Sequence, residues 1–186
     1  LKTMLSLAVK WGHLTSNPGV GVKKLKVEDS KKRRFLTETE CERLLITCDK
    51  NTYPIFFTLL YTGMRKGELL NLEWTDIDLV RETIKIQRKS FWIPKAGERE
   101  IPMSREVAAV LQKLPKHSNF VFADKDGNSL SHSWIRNELI RIVKKAGIQN
   151  LTEVHALRHT FASRLLMKGV DLPTVQKLMG HTQIQT

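Results

Sequence analysis

Residues 155–159 read His-Ala-Leu-Arg-His and open a helical pattern that runs to residue 168. A step of about 100° per residue divides this helix into a polar arc and an apolar arc. The polar arc holds His155, Arg158, His159 and Ala162, and the apolar arc holds Leu157, Phe161 and Leu165. The apolar arc is expected to anchor the helix, and the polar arc is predicted to face a cleft or solvent.

A second arginine follows another strong pattern, since residues 62–68 read Thr-Gly-Met-Arg-Lys-Gly-Glu. The preceding residues, 54–61, begin with Pro54 and are apolar nearly all round, and Gly63 closes the run. Proline in a first turn and glycine after the last turn are typical helix boundaries, and an all-round apolar helix is typical of a core. Arg65 is therefore predicted just beyond the end of a buried helix.

Outward from these motifs, the pattern predicts an α+β fold that is predominantly helical. Thr37 and Glu40 form a capping box ahead of apolar residues at helical spacing, and further helical stripes cover residues 107–114 and 135–146. Between residues 82 and 103 the apolar period falls to two, which predicts a small antiparallel sheet of about three strands. Its apolar positions are Ile84 and Ile86, Phe91 and Ile93, and Ile101. A short strand at residues 120–122 is also expected.

Composition favours a globular protein that meets a polyanion. Of 186 residues, 41% are hydrophobic, and 31 Lys and Arg outnumber 19 Asp and Glu to give a net charge of +12. Such a field attracts nucleic acid. The chain has no apolar run long enough to span a bilayer, so no membrane partner is expected, and a cytoplasmic location follows. The two cysteines, Cys41 and Cys48, lie in a helical pattern and are interpreted as reduced core residues.

The two arginines could hold a phosphodiester. A guanidinium donates parallel hydrogen bonds to phosphate oxygens and keeps its charge, so Arg65 and Arg158 on separately anchored elements could clamp a pentavalent transition state. His155 could move a proton at neutral pH. His181, on a turn just past the helix that ends at Gly180, could donate to the same phosphate.

A metal site is the competing interpretation of the same residues. His155 and His159 at i and i+4 share a helix face, as zinc ligands do. Position 156, however, is alanine where zinc proteases place a glutamate base, and a third ligand is not evident. Two-metal nucleases need clustered carboxylates, which the sequence spreads over a segment that turns from helix to strand. No metal or other cofactor is expected.

Taken in order, the motifs resemble the tyrosine recombinases, the phage-integrase family. The resemblance rests on residues 62–72, 95–102, 155–163 and 178–181, and it covers roughly residues 35–186. It implies that residues 35–186 form the catalytic domain of that family. It also implies that residues 1–12 are the last helix of an N-terminal core-binding domain and that residues 13–34 are the basic linker between the two.

The resemblance also implies residue roles in a metal-independent DNA strand exchange through a 3′-phosphotyrosyl intermediate. Arg65 and Arg158 would hold the scissile phosphate, His155 would assist proton transfer at the nucleophile, and His181 would bind a non-bridging oxygen. Lys95 would protonate the 5′-hydroxyl leaving group. Lys89 is the alternative general acid, because the turn from residue 95 to 102 is about one residue shorter than in the family.

Further residues are expected to support the phosphate-binding side chains or to bind DNA. Glu68 and His159 are expected to hold the phosphate-binding side chains in place without contacting the phosphate themselves. The linker is expected to lie on a DNA backbone through Lys23, Lys24, Lys31, Lys32, Arg33 and Arg34. The other interpretation of this run is a solvated charged segment.

The family's tyrosine nucleophile is expected near position 190, beyond Thr186, and the chain is expected to bind DNA without cleaving it. The two tyrosines, Tyr53 and Tyr61, precede Arg65 and lie in or beside a buried apolar pattern. The expected partner is double-stranded DNA, with a homotetramer on DNA for the full-length protein and a monomer for these 186 residues. The alternative function is a non-catalytic DNA-binding module that occupies recombination sites.

Overall fold

The computed structural model of the protein describes residues 1–22 and 34–180, and its internal contacts divide the chain into a unit of residues 1–32 and a unit of residues 33–186. In the first unit, helix α1 covers Lys2–Lys10. Asn17 fastens the following turn to this helix, since its Nδ2 donates to Ser6 Oγ at 2.8 Å and its Oδ1 accepts from the backbone N–H of Gly19 at 2.8 Å.

The second unit is built mainly from helices. Their bounds are α2 Glu38–Thr47, α3 Tyr53–Thr62, α4 Lys66–Leu70, α5 Arg105–Gln112, α6 His132–Lys145, α7 His155–Met167 and α8 Leu172–Met179. The predicted capping box is confirmed: Thr37 Oγ1 accepts from the N–H of Glu40, and the Glu40 side chain accepts from the N–H of Thr37. The side chains of Ser104, Ser131 and Asp171 cap α5, α6 and α8 by accepting a hydrogen bond from a backbone N–H of the first turn.

Helix α3 forms the centre of the core, as its apolar sequence predicts. Its residues from Pro54 to Leu60 are all buried, and α7 packs directly on it. Thr160 of α7 is fully buried and accepts a 2.9 Å hydrogen bond from the N–H of Leu36, 124 residues earlier in the chain. Helix α7 is thereby fastened to the beginning of the same unit.

The sheet has three short antiparallel strands in the order β1-β2-β3: β1 Ile77–Asp78, β2 Thr83–Ile86 and β3 Arg99–Pro102. A 3₁₀ turn, Trp74–Asp76, leads into β1. Ile84 pairs with Ile77 on one side and with Ile101 on the other, and Ile84 and Ile101 are both buried. The number of strands agrees with the prediction, but the strands are formed in part by other residues than those predicted.

The prediction of a strand at Phe91 and Ile93 is wrong. These residues lie in the connection between β2 and β3 and are 58% and 60% exposed. A single backbone bridge joins Lys89 to Trp92, and Pro94, which lacks an N–H, follows at once. The expected strand at residues 120–122 is also replaced by a bridge, between Glu73 and Phe120.

Cys41 is buried and Cys48 is half-buried, and burial raises the pKa of both thiols to about 11. Over residues 1–22 and 34–180, no helix is both long enough and apolar enough to cross a membrane.

Candidate active site

The turn between α3 and α4 sets the position of Arg65. Gly63 ends α3 with φ 62°, and a Cβ at this position would lie 2.2 Å from Cδ1 of Phe161 on α7. Glycine is therefore required both by the backbone conformation and by the close approach of α7. Arg65 then caps α4 with its backbone N–H donating to Glu68 Oε2 at 2.7 Å, while its Nη1 reaches Glu68 Oε1 at 3.1 Å.

Glu68 is buried beneath Arg65, and its carboxylate is held from a second side by Arg99 of β3. Nη1 of Arg99 lies 2.9 Å from Oε1, and Nη2 lies 2.7 Å from Oε2, which makes a bidentate pair. Burial by itself raises the pKa of Glu68, but the hydrogen bonds and charges of Arg99 and Arg65 outweigh it and hold the pKa below its ordinary value of 4.5. The carboxylate is therefore ionised at neutral pH.

Arg158 enters the site from α7 and is only 2% exposed. It still lines a cavity, so of the predicted alternatives for its arc, a cleft or solvent, the structure places Arg158 in a cleft. Its Nη1 donates to the carbonyl oxygen of Gly63 at 2.6 Å, and its Nη2 donates to the carbonyl oxygen of Met179. These bonds compensate the buried charge. Burial, followed by repulsion from Arg65, lowers the pKa of Arg158 to about 10, so the side chain is still protonated at neutral pH.

Three arginines meet at the carbonyl end of α8. Met179 O accepts from Arg158 and, at 3.4 Å, from Nη1 of Arg65, while Leu178 O accepts from Nε of Arg99 at 3.2 Å. The last carbonyls of a helix lack partners within the helix and carry partial negative charge, so cations are favoured there. The end of α8 thereby holds the arginine side chains in fixed positions.

Beside this cluster is an open cavity of about 360 Å³. Its lining includes four of the residues predicted to be catalytic, Arg65, Lys95, His155 and Arg158. They come from three segments: the turn before α4, the connection between β2 and β3, and helix α7, which carries both His155 and Arg158. Lys95 and His155 are exposed to solvent, whereas Arg158 is buried. His159 is half-buried one helical turn after His155, and the centres of their rings are 4.6 Å apart. The fold therefore places cationic and imidazole groups around one space large enough for a phosphodiester.

Lys89, the alternative general acid, has a different environment. Its side chain is 8% exposed, and its Nζ lies 2.7 Å from Glu73 Oε2, 2.6 Å from Asp76 Oδ2 and 2.8 Å from Asn71 O. These contacts fasten the base of the β2–β3 connection to the 3₁₀ turn. Of the two lysines, Lys95 lines the cavity and Lys89 does not.

Several residues in or beside the cavity were not singled out from the sequence. His132, at the start of α6, and Trp92 both line the cavity, and burial, with repulsion from Lys66 and Lys95, lowers the pKa of His132. Arg99 was not singled out either. A signal for it existed: Arg99 and the buried Ile101 are two residues apart and so lie on the same face of β3. A charged residue on an inward face implies a buried partner.

Several predicted positions lie outside the described residues, namely His181, Lys23, Lys24, Lys31, Lys32 and Arg33. Arg34 is described, and it forms an ion pair with Glu40 of the α2 capping box. Among residues 1–22 and 34–180, no group of three or more His, Cys, Asp or Glu side chains is arranged to hold a metal ion.

Comparison with known proteins identifies the fold and the family. The family model described as the phage integrase family matches residues 34–186. The chain belongs to the phage integrase family. Arg65, Arg158 and the α8 terminus that joins them all lie within the matched segment of this integrase-family protein.

Relatives of known sequence are tyrosine recombinases. The chain is 34% identical over 166 residues to tyrosine recombinase XerC of Oceanobacillus iheyensis, which covers 82% of the chain and 54% of the relative. It is 28% identical over 227 residues to a XerC-like tyrosine recombinase of Caldanaerobacter subterraneus, covering 99% of the chain and 58% of the relative. The chain thus spans a little over half the length of these curated relatives.

Solved structures agree with the family assignment. The XerA recombinase structure superposes with a TM-score of 0.72 at 30% identity, covering 81% of this chain and 57% of that one. The Tn1549 transposon integrase in complex with transposon right end DNA superposes with a TM-score of 0.81 at 27% identity, covering 98% of this chain and 69% of that one. The fold is the tyrosine-recombinase catalytic fold, predominantly helical with a small antiparallel sheet.

Proposed function

We propose that this chain supplies the phosphate-binding part of a site-specific DNA recombinase that breaks and rejoins strands through a 3′-phosphotyrosyl intermediate, in the integration or excision of a phage or other mobile element. The observation that carries the proposal is the cavity lined by Arg65, Lys95, His155 and Arg158. The net charge of +12 and the DNA-bound Tn1549 relative support double-stranded DNA as the substrate.

The arginines are proposed to bind the scissile phosphate. Arg158 forms the buried floor of the cavity, and a guanidinium has more N–H donors than the two that Arg158 gives to carbonyl oxygens. Arg65, with its side chain 25% exposed, would contact the phosphate from the more accessible side. Because both are already fixed by protein contacts, little reorganisation is needed when negative charge develops on the phosphate.

Proton transfers are assigned to the two exposed cavity residues. Lys95 carries protons on a flexible stem and is proposed to protonate the 5′-oxygen as it leaves. His155 is proposed to assist removal of the proton from the attacking tyrosine. His181 is proposed to donate a hydrogen bond to a non-bridging oxygen of the phosphate. It follows Gly180, and the two carbonyl groups before Gly180, those of Leu178 and Met179, accept hydrogen bonds from Arg99 and Arg158.

The nucleophile is proposed to come from outside residues 1–186. Tyr61 stacks on Phe57 with ring centres 4.4 Å apart and lies beneath the guanidinium of Arg164, and Tyr53 stacks on the same phenylalanine at 5.3 Å. Both tyrosines are therefore held by packing along α3. We infer that residues 1–186 bind DNA as a monomer without cleaving it, and that a longer chain acts as a homotetramer on DNA.

DNA binding tests the phosphate site first. Fluorescence anisotropy with a short duplex, measured over a salt series, is expected to show affinity that falls steeply as salt rises. Arg65→Gln is expected to weaken binding about tenfold and to reduce the salt slope by about one. Arg105→Gln, which removes the same charge from a side chain that is 92% exposed, is the matched control and should change affinity little. Equal losses in the two variants would contradict a specific phosphate site.

Cleavage tests the enzymatic half of the proposal. A polypeptide extended past Thr186 to include a tyrosine near position 190 is incubated with a nicked suicide DNA substrate and no added metal ion. A covalent protein–DNA band that disappears when the tyrosine is changed to phenylalanine is the expected result. If the extended protein binds the substrate and yields no band, the non-catalytic DNA-binding module becomes the better description.

A further inference from the structure

Arg99 connects three elements next to the proposed phosphate site, namely its own strand β3, α4 and α8, and it is not among the residues that line the cavity. It is the first residue of β3, its carboxylate partner Glu68 lies on α4, and its Nε donates to Leu178 O at the end of α8. Its side chain is 8% exposed. A Cβ at Gly180 would approach its Cδ, Nε and Nη1 to 3.0–3.1 Å, so the backbone after α8 packs directly on the Arg99 side chain.

The contacts of Arg99 show what it can control. Each oxygen of Glu68 accepts from both arginines: Oε1 from the two Nη1 atoms, and Oε2 from Nη2 of Arg99 and the backbone N–H of Arg65. Arg99 therefore fixes the plane of the carboxylate. The carboxylate in turn fixes both the backbone and the guanidinium of Arg65.

Loss of this bidentate contact would change the position of Arg65. A buried carboxylate that loses one cation is left poorly compensated and recruits the other more strongly. The guanidinium of Arg65 would then turn from the cavity toward Glu68. A lysine at position 99 would keep the charge, but a single ammonium cannot reproduce the planar fork.

We propose that Arg99 is a positioning residue that holds Glu68 so that the guanidinium of Arg65 is presented to a DNA phosphate. This inference rests on the proposed function of Arg65. It assigns to Arg99 an effect on DNA binding that is transmitted through Arg65 rather than made by contact with DNA.

A double-mutant cycle on DNA affinity tests the proposal, using the 186-residue chain and the short duplex. Arg65→Gln is measured in the original chain and again in Arg99→Lys. The expected result is a loss of about tenfold in the original chain and of about twofold or less in Arg99→Lys, because Arg65 is no longer presented there. Arg105→Lys, which keeps the charge at an exposed position, is the control background and should preserve the tenfold loss.

The outcomes separate the two proposals. If Arg65→Gln weakens binding equally in the original chain and in Arg99→Lys, Arg99 has only a general structural role and the inference is overturned. If Arg65→Gln has no effect in the original chain, the proposed phosphate site itself fails, and the inference fails with it.

Thermal unfolding must first show that Arg99→Lys is folded. Should it not fold, the cycle is repeated in the double variant Glu68→Gln, Arg99→Gln, which removes both charges and leaves no uncompensated ion in the interior. The same reduced effect of Arg65→Gln is expected in that background. A full tenfold loss there would overturn the inference.

Discussion

Arg158 donates a 2.6 Å hydrogen bond from Nη1 to the carbonyl oxygen of Gly63, which joins two motifs that lie 95 residues apart. The same guanidinium also caps α8 through Met179 O. Its charge is thus used twice, to hold three helices together and to form the floor of a phosphate-sized cavity. Stability and the proposed phosphate binding would therefore both depend on one side chain.

Arg158→Lys is expected to lower the free energy of unfolding by about 3 kcal/mol, since bonds from a charged donor to buried carbonyls are lost and an ammonium cannot reach both. Urea denaturation of the 186-residue chain measures this change. Arg105→Lys is the control, with its side chain 92% exposed, and should leave the midpoint unchanged. A midpoint for Arg158→Lys as high as that of the control would show that the two carbonyl bonds contribute little.

Gly63→Ala is expected to destabilise the protein by more than about 2 kcal/mol, because backbone strain at φ 62° adds to overlap with Phe161. Gly97→Ala is a matched control, because Gly97 has φ 71° but a Cβ added there meets no atom within 4 Å. Its loss of stability should therefore come from backbone strain alone. Adding Phe161→Ala to Gly63→Ala should recover the part of the stability loss that is due to overlap with the Phe161 ring. Equal unfolding midpoints for the two single alanine variants would contradict the close approach of α7 to Gly63.

Lys89→Met is expected to lower the free energy of unfolding by about 3 kcal/mol or more, because it leaves the buried carboxylate of Asp76 and the half-buried carboxylate of Glu73 without their cation. Lys95→Met, at an exposed position, should leave the unfolding midpoint nearly unchanged and should instead weaken DNA binding. Chemical denaturation and anisotropy on the same two proteins separate these effects. The reverse pattern would assign the substrate-facing role to Lys89.

The ion pairs of Glu68 predict a specific pH dependence. Its folded pKa lies below the ordinary value of 4.5, so its contribution to stability is fully present above about pH 4.5 and is lost as the pH falls through the folded pKa. Glu68→Gln should therefore be less stable at pH 7, and the difference from the original chain should shrink on acidification. Unfolding midpoints measured between pH 7 and pH 3 check this, and a constant difference would exclude Glu68 as the titrating group.

Sequence alone was sufficient for the elements whose causes are local. The capping box at Thr37 and Glu40, the proline and glycine that bound α3, and the apolar period of α6 all act within one or two helical turns, and the structure has each of them. The failed strand at Phe91 and Ile93 shows the limit of such patterns. Alternation marks residues that could join a sheet, but pairing needs a partner strand, and only one backbone bridge forms there.

The candidate site also has one part that the sequence predicted and another that only the tertiary structure decided. The residue types in the two arginine motifs and their order along the chain predicted a phosphate site and the integrase family from sequence. Only the tertiary structure decided that Arg158 is buried, that Arg99 holds Glu68, and that Lys95 rather than Lys89 lines the cavity. The physical reason is range: helix signals come from neighbours three or four residues away, whereas the partners of these charges lie up to 95 residues away and meet only when α3, α7 and α8 pack together.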